Sequence, residues 1–565
     1  MDRGAREAVG ATAGGDDGEP RGALSRRSLF RGAGAATVAS IAVGSGGLQL
    51  ALPAIAQAAE ATSTPLTPAQ LRQRAARRTR MNAADLAYAR PLPVVVTNNE
   101  EGDYGGTRIG NFSKGLPHNN LGEVDPNAYN ALLAATASGA PKDFEAIPLA
   151  GVRRLTSPLS GMAFDLEGPD CQSVGMRPVP RLDSAEGAGE AAELYWMALA
   201  RDVPFSDYAT NPVTTAAATD LSKFSDFRGP KQGGAVRPPT LFRGNTAGDA
   251  NGPYVSQFLL RDIPYGALTV SQKLTTVLPN IDYLTTYSSW LSSRNGASPP
   301  SGAAFDGTPR HIRNGRDLTR YVHVDALYEA YLNACLILLG MGAPVDAGNP
   351  YVSFHKQDSF ATFGGPHVLS LVTEVATRAL KGVWYCKWFV HRRARPEEIG
   401  GVVHNRRTNA ASYPVHAELL NSPVLDQVSS RFHSYLLPQA FPEGAPLHPS
   451  YGSGHATVAG ACVTVLKAWF DESWVIPNPV VASADGTALV AYSGPPLTVG
   501  GELNKVAANI ASGRNFAGIH WRTDFTEGVK LGEAIALGIL QEQAATYAEQ
   551  AHFSLTKFDG TTITI

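Results

Sequence analysis

The sequence predicts a mainly α protein, a set of helices joined by loops too long for a simple bundle, with little β structure. Three observations carry that reading. Apolar residues recur at three- and four-residue steps through several long stretches, alternating strand-type patterns are scarce, and 57 Gly and 39 Pro punctuate the 565 residues. With 44% hydrophobic residues, the chain can bury a large core.

The elements follow in chain order. Residues 1–56 read as an address and not as fold. Ser25-Arg26-Arg27-Ser28-Leu29-Phe30-Arg31 precedes an Ala- and Gly-rich apolar run, and Ala54 and Ala56 suit a peptidase. This resembles a twin-arginine export signal, with an apolar run too weak for stable membrane insertion. Such signals carry folded proteins, so a periplasmic or secreted location is expected. Residues 57–565 read as one helical domain. Asp183 to Arg201 opens on a capping Asp-Ser and continues in helix formers. Arg316 to Leu339 places Leu318, Tyr321, Val322, Tyr328, Leu332, Cys335 and Leu339 at three- and four-residue steps, which is helical periodicity. Val368 to His391 is a further helix, ended by Pro396; Thr457 to Phe470 and His520 to Gln550 are two more. Thr561 to Ile565 is a short strand candidate.

Net charge excludes one class of function. At −2, the chain has no excess positive charge for nucleic acid or an anionic membrane. The four cysteines lie far apart without a C-x-x-C pair, against a zinc finger or redox dithiol. Cys335 and Cys462 sit in apolar runs and read as buried thiols; spacing leaves any disulfide open.

Three segments could converge on an anion. In Lys387-Trp-Phe-Val-His391-Arg-Arg-Ala-Arg395-Pro396, eight helical steps are a little over two turns. Lys387 and Arg395 can therefore point to one side, while Pro396 restricts Arg395 and frees its guanidinium. A fork of N–H donors beside an ammonium suits a phosphate-shaped anion. In His448-Pro-Ser-Tyr-Gly-Ser453-Gly454-His455, the amides of Ser453, Gly454 and His455 begin a helix, a seat for an anion. His455 lies beside it as a general acid/base. In Arg514-Asn-Phe-Ala-Gly-Ile-His520, with Asp524 four residues on, Asp524 can bond one ring nitrogen and free the other as ligand or nucleophile. Each segment alone also reads as an ordinary helix terminus or surface pair.

In this order, the three segments resemble the signature shared by vanadium-dependent haloperoxidases and type-two phosphatidic acid phosphatases. The wording KWFVHRRARPEEIGG, EGAPLHPSYGSGHATVAGA, GRNFAGIHWRTD, LDSAEGAGEAAELYWMALARDVPFSDY and RYVHVDALYEAYLNACL is similar to the bromoperoxidase branch, over roughly residues 165 to 550. The resemblance implies a helical-bundle fold, two four-helix bundles, with the site built from residues 384–396, 448–455 and 514–524. It implies a vanadate cofactor, with His520 binding vanadium axially. Lys387, Arg395, Arg514, Ser453 and Gly454 would bind its oxygens. His455 would deprotonate hydrogen peroxide, and Lys387 would polarise it so that halide attacks and hypohalous acid leaves to halogenate small organic substrates. His448 is a bromoperoxidase-like feature expected to tune halide turnover. Trp384 would line the pocket, and Asp325 and Asp524 would support it. Bromide and iodide are the expected halides, with chloride open, and a homodimer or larger homo-oligomer is expected.

The sequence also departs from the signature. Gly452 stands where the broader signature has proline, and Gly513 where serine is common. An acid phosphatase with His520 as nucleophile is the alternative. Against it stand His448 and the seven residues between Lys387 and Arg395, where phosphatases commonly have six.

Overall fold

The computed structural model describes residues 65–93, 99–300 and 304–565. The export-signal reading and its boundary at residue 56 lie outside them. Residues 1–78 and 79–565 form two compact units. Of the first unit the description covers the start of a helix, Pro68–Ala89, where the Thr67 hydroxyl accepts the Gln70 amide at 3.3 Å.

The second unit is helical, as its periodicity predicts, and its only sheets among the described residues are three two-stranded antiparallel hairpins. The last of them includes Thr562–Thr564, the expected terminal strand. At the centre lies the Gly454–Trp469 helix, buried on every side apart from His455. It packs against Arg522–Ala544, Gly365–Tyr385 and Val499–Phe516. Small residues let two of these backbones meet: a Cβ on Gly532 would stand 1.9 Å from the Thr457 carbonyl oxygen, and one on Gly460 2.1 Å from that of Val529. No bulkier residue fits this crossing.

Two expected helices differ in the fold. Arg316 to Leu339 is two helices, Gly315–Val324 and Glu329–Gly340, bent by 100°. Periodicity survives the break because both pieces bury the same kind of face. Val368 to His391 begins at Gly365 and runs as α-helix only to Tyr385, then as a π turn through Cys386–His391. Arg392 leaves that turn in the left-handed region, at φ 44°, and Arg395 is extended as the N-cap of Pro396–Arg407. Lys387 and Arg395 therefore do not share one helix. Pro396 opens a helix instead of only closing one, the position where its fixed φ and missing N–H cost least. All four cysteines are buried free thiols. Among the described residues, no single helix is long and apolar enough to cross a membrane.

Candidate active site

The π turn places Lys387 fully buried, its ammonium donating to the carbonyls of Pro449 at 2.9 Å and Ser450 at 2.7 Å. One α-turn earlier, the Trp384 ring lies 5.6 Å from that ammonium and 4.6 Å from the His448 ring. Its indole N–H donates to the Thr156 carbonyl, which holds the ring in place.

Arg395 ties the three segments together. Its Nε donates to the His448 carbonyl at 2.9 Å, one terminal nitrogen to His448 Nδ1 at 2.9 Å, and the other to His520 Nε2 at 2.9 Å. His520 Nδ1 donates to Asp524 Oδ2 at 2.7 Å. Together these contacts select one tautomer: Nδ1 carries the proton, and the Nε2 lone pair faces the guanidinium. His520 lies just before the Arg522–Ala544 helix and does not open it, because Trp521 takes the N-cap position. Asp524 still reaches it from the first turn, and also accepts the Trp521 amide at 3.3 Å.

Ser453 caps the Gly454–Trp469 helix, its hydroxyl accepting the Ala456 amide at 3.3 Å. Its own amide donates to the Asp524 carbonyl at 3.0 Å, so the anion-seat segment is bonded to the histidine segment. Gly454 follows with Trp384 close by; a Cβ there would stand 3.1 Å from the indole. His455 donates from Nε2 to Asp325 Oδ1 at 3.1 Å, which leaves the Nδ1 lone pair able to accept a proton.

Arg514 approaches from the end of Val499–Phe516. One terminal nitrogen donates to the Val322 carbonyl at 2.8 Å, and the guanidinium lies 5.4 Å over the Phe441 ring. Its Nε is buried with no protein acceptor. Gly513 beside it has a packing reason, since a Cβ there would press to 3.0 Å from the Val322 side chain.

Charge explains the pKa pattern. Burial, then Arg395 and Arg514, push the Lys387 ammonium well below its ordinary value against the pull of Asp524. Burial pushes Arg395 down to about 9 and Arg514 to about 10, both still cationic at neutral pH. His520 and His448 are held well below the usual imidazole range by burial and then by Arg395, and His455 is lowered by burial against Asp325. Burial raises the Asp325 carboxyl, but His455 and Arg514 outweigh it and leave it low. Two buried guanidinium cations, one with an unsatisfied nitrogen, beside the Lys387 amino group make a cup that favours a small oxyanion.

All the expected site residues are therefore drawn into one linked region around the start of the Gly454–Trp469 helix. The sequence reading missed the layer beneath. Arg393 bonds Asp524 Oδ1 at 3.1 Å, Thr523 Oγ1 at 2.7 Å and Glu190 Oε2 at 2.7 Å. Ser450 Oγ donates to Asp524 Oδ2. Glu398 accepts the Arg395 amide at 2.6 Å and pairs with Arg294. The available signal was Glu186, Glu190 and Glu193 spaced by four and three within an Ala-rich helix, acids on a buried surface that need cations.

Comparison with known proteins gives the chain a family. A vanadium-dependent bromoperoxidase of Corallina officinalis is 39% identical over 89% of this chain and 100% of its own length. The chain belongs to the vanadium-dependent bromoperoxidases. A bromoperoxidase of that family from Ascophyllum nodosum is 38% identical over 80% of this chain and 86% of its own. The family described as the VCPO second helical-bundle domain matches residues 369–549, the stretch that contains all three site segments. A solved structure, the homohexameric second vanadate-dependent bromoperoxidase of Ascophyllum nodosum, superposes with a TM-score of 0.85 at 31% identity. It covers 89% of this chain and 92% of that one.

Proposed function

We propose that this bromoperoxidase family member oxidises halide with hydrogen peroxide on a bound vanadate, releasing hypohalous acid that halogenates small organic substrates. One observation carries the reading. The Nδ1 proton of His520 is committed to Asp524, so the Nε2 lone pair, which accepts from Arg395 in this structure, is directed among Lys387, Arg395 and Arg514 and away from Asp524. The donor set fits a tetrahedral oxyanion that needs one nitrogen ligand and several hydrogen-bonded oxygens. His520 Nε2 would hold the metal, while Lys387, Arg395, Arg514, the Ser453 hydroxyl and the Gly454 amide would hold the oxygens. Bound vanadate supplies a Lewis acid that activates peroxide toward halide without changing its own oxidation state.

The remaining steps belong to the chain. His455 Nδ1 takes a proton from incoming peroxide and returns it as water departs, with Asp325 fixing the ring. Lys387 donates to a peroxide oxygen and makes it the better electrophile for bromide or iodide. His448, tilted against the Trp384 ring and bonded to Arg395, tunes halide turnover more than anion binding. Residues 1–56 export the folded protein, the unit of residues 79–565 carries the reaction, and the chain works as a homo-oligomer, at least a dimer. The hexameric relative supports that assembly.

Purified protein given bromide, peroxide and a brominatable dye, with and without orthovanadate, tests the reading. Bromination that requires vanadate is expected. Phosphate release without vanadate and no bromination would reverse it in favour of a phosphatase.

A further inference from the structure

The Gly315–Val324 helix has one face that the oxyanion cup does not use. Leu318 and Val322 bury one side of the helix completely. Arg316, Thr319, Arg320 and His323, at i, i+3, i+4 and i+7, turn instead to a cavity of about 130 Å³. Its other wall is apolar and includes Phe305 and Phe441, and no carboxylate lines it.

The cations on this face are not equivalent. Arg316 is committed to Asp202 and Asp282, and His323 to Glu443 at 2.6 Å. Arg320 donates from Nε to the Thr275 carbonyl at 3.2 Å and lies 4.8 Å over the Phe305 ring. Among the described residues no acid pairs with it. Arg320 therefore brings a charge without an acidic partner to the lining of a cavity with aromatic walls. Such a site selects a large, weakly hydrated anion: the guanidinium supplies charge, and the walls penalise an ion that keeps its water. The volume exceeds one water several-fold and so admits such an ion with partial hydration.

Phe441 connects this cavity to the cup. His323 stacks on that ring at 3.7 Å, and the Arg514 guanidinium lies over it at 5.4 Å. The same helix reaches the cup at its end, where the Val322 carbonyl accepts Arg514 and Asp325 accepts His455. We propose that this cavity is a halide-staging site, which holds bromide or iodide on Arg320 against Phe305 and Phe441 before the ion passes to the oxyanion cup. The inference rests on the halide-oxidation reading above and adds a location and a residue to it.

Vanadate-loaded full-length crystals soaked in bromide, with anomalous data at the bromine edge, and steady-state kinetics of Arg320→Gln and Arg320→Lys test it. An anomalous peak between Arg320 and Phe441 is expected, and its loss in Arg320→Gln. That variant should raise the bromide KM about tenfold, as expected for losing a charge-assisted contact, with kcat and vanadate affinity within twofold. Iodide KM should rise at least as much, and Arg320→Lys should recover part of each change. A bromide KM within twofold of wild type in Arg320→Gln, or bromide density confined to other places, overturns the proposal. So does a rise in KM for an anionic organic substrate alone, which would assign the cavity to that substrate. If the protein oxidises no halide but shows the peak, the enzymatic reading fails and the site stands. If it turns over bromide without the peak, only the staging site fails.

Discussion

His520 can offer a metal only the nitrogen that Asp524 leaves free, and the 2.7 Å contact from Nδ1 decides which one that is. Asp524 in turn is shared with Ser450, the Trp521 amide and Arg393. Asp524→Asn keeps an acceptor for Nδ1 but removes the charge that makes the imidazole a strong ligand. Vanadate affinity, read by titrating the metal-free protein, should fall about 10- to 100-fold; an unchanged affinity would remove Asp524 from the role. At His455 the sign of a pH effect can be worked out. The base must be neutral to accept a proton, so activity falls on the acid side as His455 protonates. Burial lowers its pKa and Asp325 raises it. Asp325→Asn deletes the raising influence, so the acid limb of kcat/KM should move to lower pH; movement to higher pH would contradict the pairing. Lys387, Arg395, Ser453, Arg514 and His520 were legible in the sequence because each is a charged, capping or ligating residue type within a short segment. Arg393 and Glu190 were not, because the acid spacing around Glu190 marks a buried face but does not name a partner about two hundred positions away.

The elements show where periodicity informs and where it does not. It located the helices that carry the site, yet it could not see the break after Val324 or the π turn at Cys386–His391. Both are departures of backbone path with little change in apolar spacing, and both have functional positions at the break. Asp325 is the C-cap of one helix, and Lys387 lies in the π turn of the other. The crossing of Gly454–Trp469 with Arg522–Ala544 was equally hidden, since it depends on glycines that read as weak helix formers. That crossing holds the Ser453 amide against the Asp524 carbonyl. Gly532→Ala would drive a methyl into the Thr457 backbone, which cannot rotate away. A stability loss of about 3 kcal/mol or more is expected from denaturant unfolding, at or above the usual range for overpacking. Vanadate affinity should also be weaker in whatever protein folds. A Tm equal to wild type would mean that the two helices are less tightly fixed than the structure has them.

Across the whole molecule, buried cations are assembled in advance of their anion, and only the completed fold brings them together. Lys387 and Arg395 come from one stretch, His448 to His455 from a second, and Arg514 to His520 from a third. An unfolded chain has no such cup, so the anion can bind only after folding, and binding in turn stabilises the folded state. This suits a route that exports folded protein, the route proposed for Ser25-Arg26-Arg27-Ser28-Leu29-Phe30-Arg31. An unfolded-chain route would deliver the segments apart and require vanadate to be captured after folding outside the cell. In the proposed signal the twin arginines would be the part that a receptor reads, and lysine keeps their charge while losing the planar guanidinium. Arg26→Lys with Arg27→Lys, expressed in a host with twin-arginine export, should leave the protein in the cytoplasm, folded and able to brominate once vanadate is added to the lysate. Fractionation followed by the dye assay reads both properties at once. Export at wild-type level in the double variant would show that residues 1–56 direct the chain by another route.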